Sequence, residues 1–176
     1  MNRSRLSWVW CLLASSLILL GGCGGGGGGK GGSDSGDLPL PGSGEDIPIE
    51  VLEGRWTAVD GSGTATLPEG KGDLELDSAN VQFEDVTRAG DTATMFASAS
   101  FTVDMYHAGT YIGTETMPFE RGRIELRRAG RNKWQSPPDP EVRITLVLQS
   151  ETEVHLTLEV RDAGESYKLN CRFRKD

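Results

Sequence analysis

Histidine and cysteine are scarce in this chain of 176 residues, which has two of the first, His107 and His155, and three of the second, Cys11, Cys23 and Cys171. Neither histidine has a neighbour at metal-ligand spacing, which sets aside the usual zinc patterns. The chain also lacks G-x-S-x-G and H-E-x-x-H, and its glycine run at 24–29 is not followed by a helix that would hold a phosphate. No enzymatic activity, cofactor or metal is therefore expected. No helical periodicity lasts beyond two turns. The longest apolar run, from Trp8 to Leu20, would rise about 20 Å as a helix, short of the roughly 30 Å hydrocarbon core of a bilayer.

Excess positive charge is missing too. The chain carries 18 basic and 26 acidic side chains, a formal net charge of −8, which argues against nucleic acid as a partner. The imbalance is uneven along the chain. Residues 45–118 hold 14 acids and 3 bases, whereas residues 119–176 hold 10 acids and 12 bases. Asp73, Glu75 and Asp77 share one face of an extended run, but neighbours on that face sit about 7 Å apart, too far for all three to share one cation unaided. They are expected to be a solvated, edge-protecting face. Arg121, Arg123 and Arg127 form the opposite ladder. Cross-strand pairing with acids is the expectation, and an anionic partner is the alternative.

What the chain does have begins with Arg3 and Arg5, the apolar run Trp8 to Leu20, and then Leu20-Gly21-Gly22-Cys23. A basic start, a short apolar core and small residues before a cut are the marks of a secretory signal peptide. With cysteine as the next residue, the segment resembles the lipobox of bacterial lipoproteins. The resemblance implies cleavage before Cys23, a palmitate-type acyl anchor on its thiol and new N-terminus, and a place on the cell envelope outside the cytoplasm. Each buried methylene contributes about 0.8 kcal/mol, so two or three chains anchor a protein firmly to a membrane. Gly24 in place of Asp resembles the context for the outer membrane where the cell has one. The expected organisation is a signal peptide at 1–22, lipidated Cys23 with a Gly-rich linker at 23–48, and one domain at 49–176. The linker has almost nothing to bury. As a flexible coil it would span roughly 25 to 30 Å on average and about 90 Å at full stretch.

The domain reads as all-β. Val142, Ile144, Leu146 and Leu148 alternate with polar or smaller residues, as do Val154, Leu156, Leu158 and Val160. Met95, Ala97, Ala99, Phe101, Val103 and Met105 make a longer stripe, with shorter ones at Leu74 and Leu76, at Ala79, Val81 and Phe83, and at Ile124 and Leu126. Period two places one face in and one out. Ala-Gly pairs at 89–90, 108–109, 129–130 and 163–164 punctuate these runs. Three-residue loops with left-handed Gly suit them better than type I′ turns, which demand positive φ of Ala. Asp60-Gly61-Ser62-Gly63 reads as a further turn, and Trp134 to Pro140 as a longer loop containing the stiff Pro137-Pro138-Asp139-Pro140. The expectation is about eight or nine antiparallel strands in a meander, forming an up-and-down barrel or a β-sandwich. Tyr167, Leu169, Cys171 and Phe173 share the inward face of the last strand, so Cys171 reads as a small buried hydrophobe.

Gly54-Arg55-Trp56 at the start of the first strand resembles the G-x-W of the lipocalins and their calycin relatives. The resemblance implies that Trp56 plugs one end of a barrel and that a basic residue of the last strand, Arg172 or Arg174, packs across its ring. It also implies a cavity for a small apolar ligand, giving a carrier or sensor. Small inward residues, Ala58, Ala65, Ala79, Ala97 and Ala99, either leave room for such a ligand or let sheet faces approach closely. A packed core would point instead to a protein-interaction module of the envelope, an inhibitor or scaffold.

Overall fold

The computed structural model describes residues 46–67, 70–162 and 164–176. Cys23 and the Gly-rich linker lie outside the described residues. A single 3-10 turn, Ile49–Leu52, leads into eight strands: β1 (Gly54–Leu67), β2 (Gly70–Ala89), β3 (Thr92–His107), β4 (Thr110–Gly130), β5 (Lys133–Gln135), β6 (Val142–Ser150), β7 (Glu153–Asp162) and β8 (Glu165–Lys175). Each pairs antiparallel with its neighbour in sequence, and β8 returns to β1, so the meander closes into a barrel without a crossover. No helix among the described residues is long and apolar enough to cross a membrane.

The alternating stripes form the interior. Leu74, Val81, Phe83, Met95, Phe101, Val103, Leu126, Leu146, Leu148, Val154, Leu169 and Phe173 are all buried, and Phe101 meets Phe173 edge to face at 6.3 Å. Several strands change phase along their length. The register shifts between Leu76 and Ser78 in β2, between Ala58 and Asp60 in β1, and in β4 opposite Ala97 and Ala99. A bulge adds one residue to a strand and swaps which parity faces inward. The stripes Leu74/Leu76 and Ala79/Val81/Phe83 are therefore one strand, broken in phase at Asp77.

Asp60-Gly61-Ser62-Gly63 is not a turn but the middle of β1. A Cβ on Gly63 would lie 2.1 Å from the Lys168 carbonyl oxygen, and one on Gly61 would lie 2.8 Å from Leu76 Cδ2. Glycine is there because the backbone of the bulged strand passes so close to β8 and to a core side chain. The turn at 108–109 also departs from expectation. Ala108 and Gly109 both have positive φ, 50° and 75°, and His107 pairs with Thr110. The two-residue loop puts both central residues in the left-handed region, so Ala accepts a strained φ where the twist of two long strands sets the geometry. Trp134 and Gln135 belong to β5, with Trp134 buried, so the long loop begins only at Ser136.

One end of the barrel is closed. Trp56, Ile49 and Leu52 are fully buried there, and the Trp56 indole N–H donates to the Leu52 carbonyl at 2.7 Å. The cation over the Trp56 ring is Lys175, its Nζ 5.6 Å from the centroid, and it also donates to the Val51 carbonyl at 2.8 Å. This corrects the expectation for Arg172 and Arg174. Both lie on the outward parity of β8, Arg172 paired with Asp60 and Arg174 with Glu153 at 3.6 Å. Lys175 continues the inward series Cys171, Phe173.

Candidate functional site: an apolar cleft beside a short strand

β5 is only three residues long. It pairs with Arg127, Arg128 and Gly130 of β4 on one side and with Thr145, Leu146 and Val147 of β6 on the other. β4 runs on for many residues toward the end of the barrel opposite Trp56, but no further strand joins it to β6 among the described residues. A cleft enters the barrel wall there. Phe119 and Ile124 of β4 face Val142 and Ile144 of β6 across it, and its depth is lined by Val81 and Phe83, Ala97, Ala99 and Phe101, and Leu156 and Leu158. Every lining side chain is apolar. The enclosed space is about 50 Å³.

Ala97 and Ala99 explain why any space is left. Both point inward from β3 in a stripe whose other members are Met, Phe and Val. Ala97 is buried in the same apolar core as Ala65 and Ala79, and Ala99 packs against that core as Ala58 does, but only Ala97 and Ala99 line the cleft. Of the five small inward residues, two lie beside the cleft and three elsewhere against the core.

The barrel end away from Trp56 is acidic inside. Glu115 of β4 and Glu165 of β8 carry their strands' inward parity, and the Tyr167 hydroxyl donates to Glu165 Oε2 at 2.9 Å. Burial, and then the Glu165 carboxylate, raise the Glu115 carboxyl above its ordinary range. Nothing in the sequence pattern marked Glu115, because its position in the inward series shows only once the β4 bulge is placed.

The other candidate residues are not brought together into a reactive centre. Cys171 is buried, and burial together with the Asp60 carboxylate pushes its thiol up to about 12, a poor nucleophile. His107 Nδ1 lies 3.2 Å from the Lys71 carbonyl, while His155 sits beside Glu153 at 3.5 Å. Among the described residues no group of three or more His, Cys, Asp and Glu is placed to hold a metal ion. In the arginine ladder, Arg121 pairs with Glu84 at 2.6 Å and covers the Phe96 ring at 4.0 Å. Arg127 pairs with Glu125 at 3.1 Å and Arg128 with Asp46 at 2.6 Å. Arg121 thus links β4 to β2 and Arg128 meets the incoming chain, whereas Arg127 pairs within its own strand and not across strands as expected. Arg88 lies over the Trp134 ring at 5.4 Å.

Asn132 is a residue that pattern reading missed. It is buried, has a positive φ of 56° in the β4–β5 turn, and accepts a hydrogen bond from the Ile47 N–H at 2.8 Å. Asn tolerates that conformation and supplies the acceptor, so the turn doubles as a clamp on the chain entering the barrel. Compared with known proteins, the chain matches no protein-family model and no curated protein sequence.

Proposed function

We propose that this domain binds an apolar chain at the cleft between β4 and β6, as a carrier or sensor tethered to the bacterial cell envelope through acylated Cys23, and that it works by binding rather than catalysis. The observation that carries the reading is a cleft whose lining is wholly apolar and which opens through the barrel wall. Lipocalin-like barrels, which the G-x-W at Gly54 to Trp56 resembles, hold apolar ligands inside; here the way in is lateral.

Size limits the ligand. Pre-formed small-molecule pockets enclose about 300–1,000 Å³, against about 50 Å³ in this cleft. A narrow group fits, such as the end of an acyl chain. Four buried methylenes contribute about 3 kcal/mol, which alone corresponds to binding weaker than millimolar. Tighter binding requires β4 and β6 to part, and the three-residue β5 is the only strand bridging them among the described residues. Native mass spectrometry of the soluble chain from Gly24, before and after incubation with lipid extract, tests the proposal. A bound lipid-sized mass that disappears when Ala99 is replaced by Phe supports it; an apoprotein mass throughout overturns it.

A second reading has its own observation. Tyr111 and Ile112 are exposed by 53% and 51% beside the β3–β4 turn, with Tyr106 edge to face on Tyr111 at 5.7 Å. Exposed aromatic and branched side chains at a hairpin tip suit a protein partner of the envelope.

A further inference from the structure

We propose that the outer face of the barrel carries a second binding site, a polar groove across β7, β8 and β1, and that it takes a saccharide bearing a carboxylate. The groove is separate from the apolar cleft, so the inference stands whether or not the cleft holds a ligand.

Strand register builds the groove. Arg172 of β8 stands between His155 of β7 and Asp60 of β1, and two residues along the strand Asn170 stands between Thr157 and Ser62. These six side chains take the outward parity, opposite to the buried Leu156, Leu169 and Cys171. They make two rows about 7 Å apart, each about 10 Å across the three strands. The register of β1 shifts between Ala58 and Asp60, and a bulge of this kind bends its strand and re-aims the side chains beside it. Asp60, Ser62, His155, Asn170 and Arg172 line a depression of about 580 Å³ over Gly61 and Cys171. That is within the roughly 300–1,000 Å³ of small-molecule sites, unlike the apolar cleft.

The hydrogen bonds already made leave the groove with donors to spare. Arg172 reaches Asp60 through Nη2 only. Its Nε is closed off from water and has no acceptor among the described residues, a costly state for a guanidinium N–H. Asn170 Oδ1 accepts from the Thr157 hydroxyl at 2.9 Å, while its NH2 group and the Ser62 hydroxyl have no partner among the described residues. His155 faces Glu153 through Nε2 at 3.5 Å, so its Nδ1 is uncommitted. A fitting ligand is therefore rich in acceptor oxygens and can also donate to Asp60 and Ser62. Sugar hydroxyls do both, and a carboxylate is the planar acceptor that the open side of a guanidinium fork matches. Arg172 and Arg174 are balanced here by Asp60 and Glu153. A densely charged anion such as phosphate thus meets no excess of positive charge, whereas a single carboxylate on a hydroxylated frame needs none.

The test uses the full chain in detergent, titrated with trigalacturonate, with maltotriose as the neutral sugar. Calorimetry is read together with the Arg172 Nε–H signal in NMR. The expected result is saturable binding of trigalacturonate with a shift of that signal. Binding should weaken by about tenfold in R172K, which keeps the charge and loses the fork, and in N170D, which keeps the acceptor for Thr157 and loses the NH2 donor. Both variants are first compared with the native chain in thermal melts; where one does not fold, the Arg172 signal of the native chain decides. No binding at millimolar trigalacturonate, or binding that leaves the Arg172 signal unmoved, overturns the proposal. Equal affinity in folded R172K and N170D overturns it too, as does equal affinity for maltotriose. Displacement of the sugar by equimolar inorganic phosphate also overturns it, and assigns the groove to small anions.

Discussion

Lys175 holds the closed end of the barrel through two contacts, its charge over the Trp56 ring and its donation to the Val51 carbonyl. A cation–π contact and one net hydrogen bond are each worth about 1 kcal/mol. Lys175→Met, which keeps the aliphatic stem, is expected to lower unfolding stability by about 1–2 kcal/mol in urea titration. Arg174→Met is expected to change it by less than about 0.5 kcal/mol, because Arg174 is exposed and water screens its 3.6 Å pair with Glu153. Equal effects would return the plug to the arginines. The sequence pointed to Trp56 correctly but to the wrong cation, although its own parity held the answer: Cys171 and Phe173 face inward, and so must Lys175. Two groups, buried Cys171 and half-buried Glu115, make stability depend on pH. The folded state holds the Cys171 proton up to about 12, whereas the ordinary thiol value is 9.0. Between those values the unfolded chain loses the proton first, so stability falls as pH rises, by up to about 1.4 kcal/mol per pH unit. Thermal melts from pH 8 to 11 should show this decline, and Cys171→Ala should flatten it. The Glu115 carboxyl is raised in the same sense, so its contribution to stability falls as pH climbs from its ordinary value of 4.5 through the raised folded value. Glu115→Gln should therefore raise the melting temperature at pH 7 and leave it unchanged at pH 3.

At the scale of the element, the bulges decide how much of the strand pattern a reader of the sequence recovers. β3 keeps one parity from Ala93 to Met105 and stands out at once, whereas β1, β2 and β4 each switch phase. Each of those three looks like shorter stripes or a turn. β5 is the extreme case: three residues carry no periodicity, and the buried Trp134 within it looked like part of a loop. The cleft was invisible for the same reason, since it exists only because β5 is too short to fill the space between β4 and β6. Only the alanines that leave it open could be picked out beforehand. The glycines of β1 show how a bulge constrains sequence. Gly63→Ala would drive a methyl group to 2.1 Å from the Lys168 carbonyl oxygen, a backbone atom that cannot swing aside. A loss of at least about 2 kcal/mol is expected from chemical denaturation. Gly90, by contrast, has φ +63° with open space around it, so Gly90→Asn should stay within about 1 kcal/mol. If both substitutions are equally mild, the close approach of β1 to β8 is wrong.

For the molecule as a whole, the direction of the barrel relative to its tether matters most. The described chain enters at the closed end, where Asp46, Ile47 and the 3-10 turn meet the β4–β5 turn, and the C-terminal Asp176 lies at the same end, its N–H donating to the Arg55 carbonyl at 3.1 Å. Tyr111, Ile112 and the acidic interior at Glu115 and Glu165 lie at the other. The anchor proposed at Cys23 would join the barrel at this closed end, while the cleft opens along the flank. The all-β fold could be read directly from period two, because alternation depends on local order in the chain. Where the barrel wall opens depends on which strands fall short, a property of three-dimensional closure. The proposed anchor has a direct test. Replacing Cys23 with Ser removes the thiol that would carry the acyl chain, so labelled palmitate should vanish from the protein and the chain should leave the membrane fraction. Two acyl chains contribute about 0.8 kcal/mol for every methylene they bury, far more than the modest adhesion expected of an acidic domain, so a partial shift does not fit that anchor. Label retained on the serine variant would overturn the anchor at Cys23.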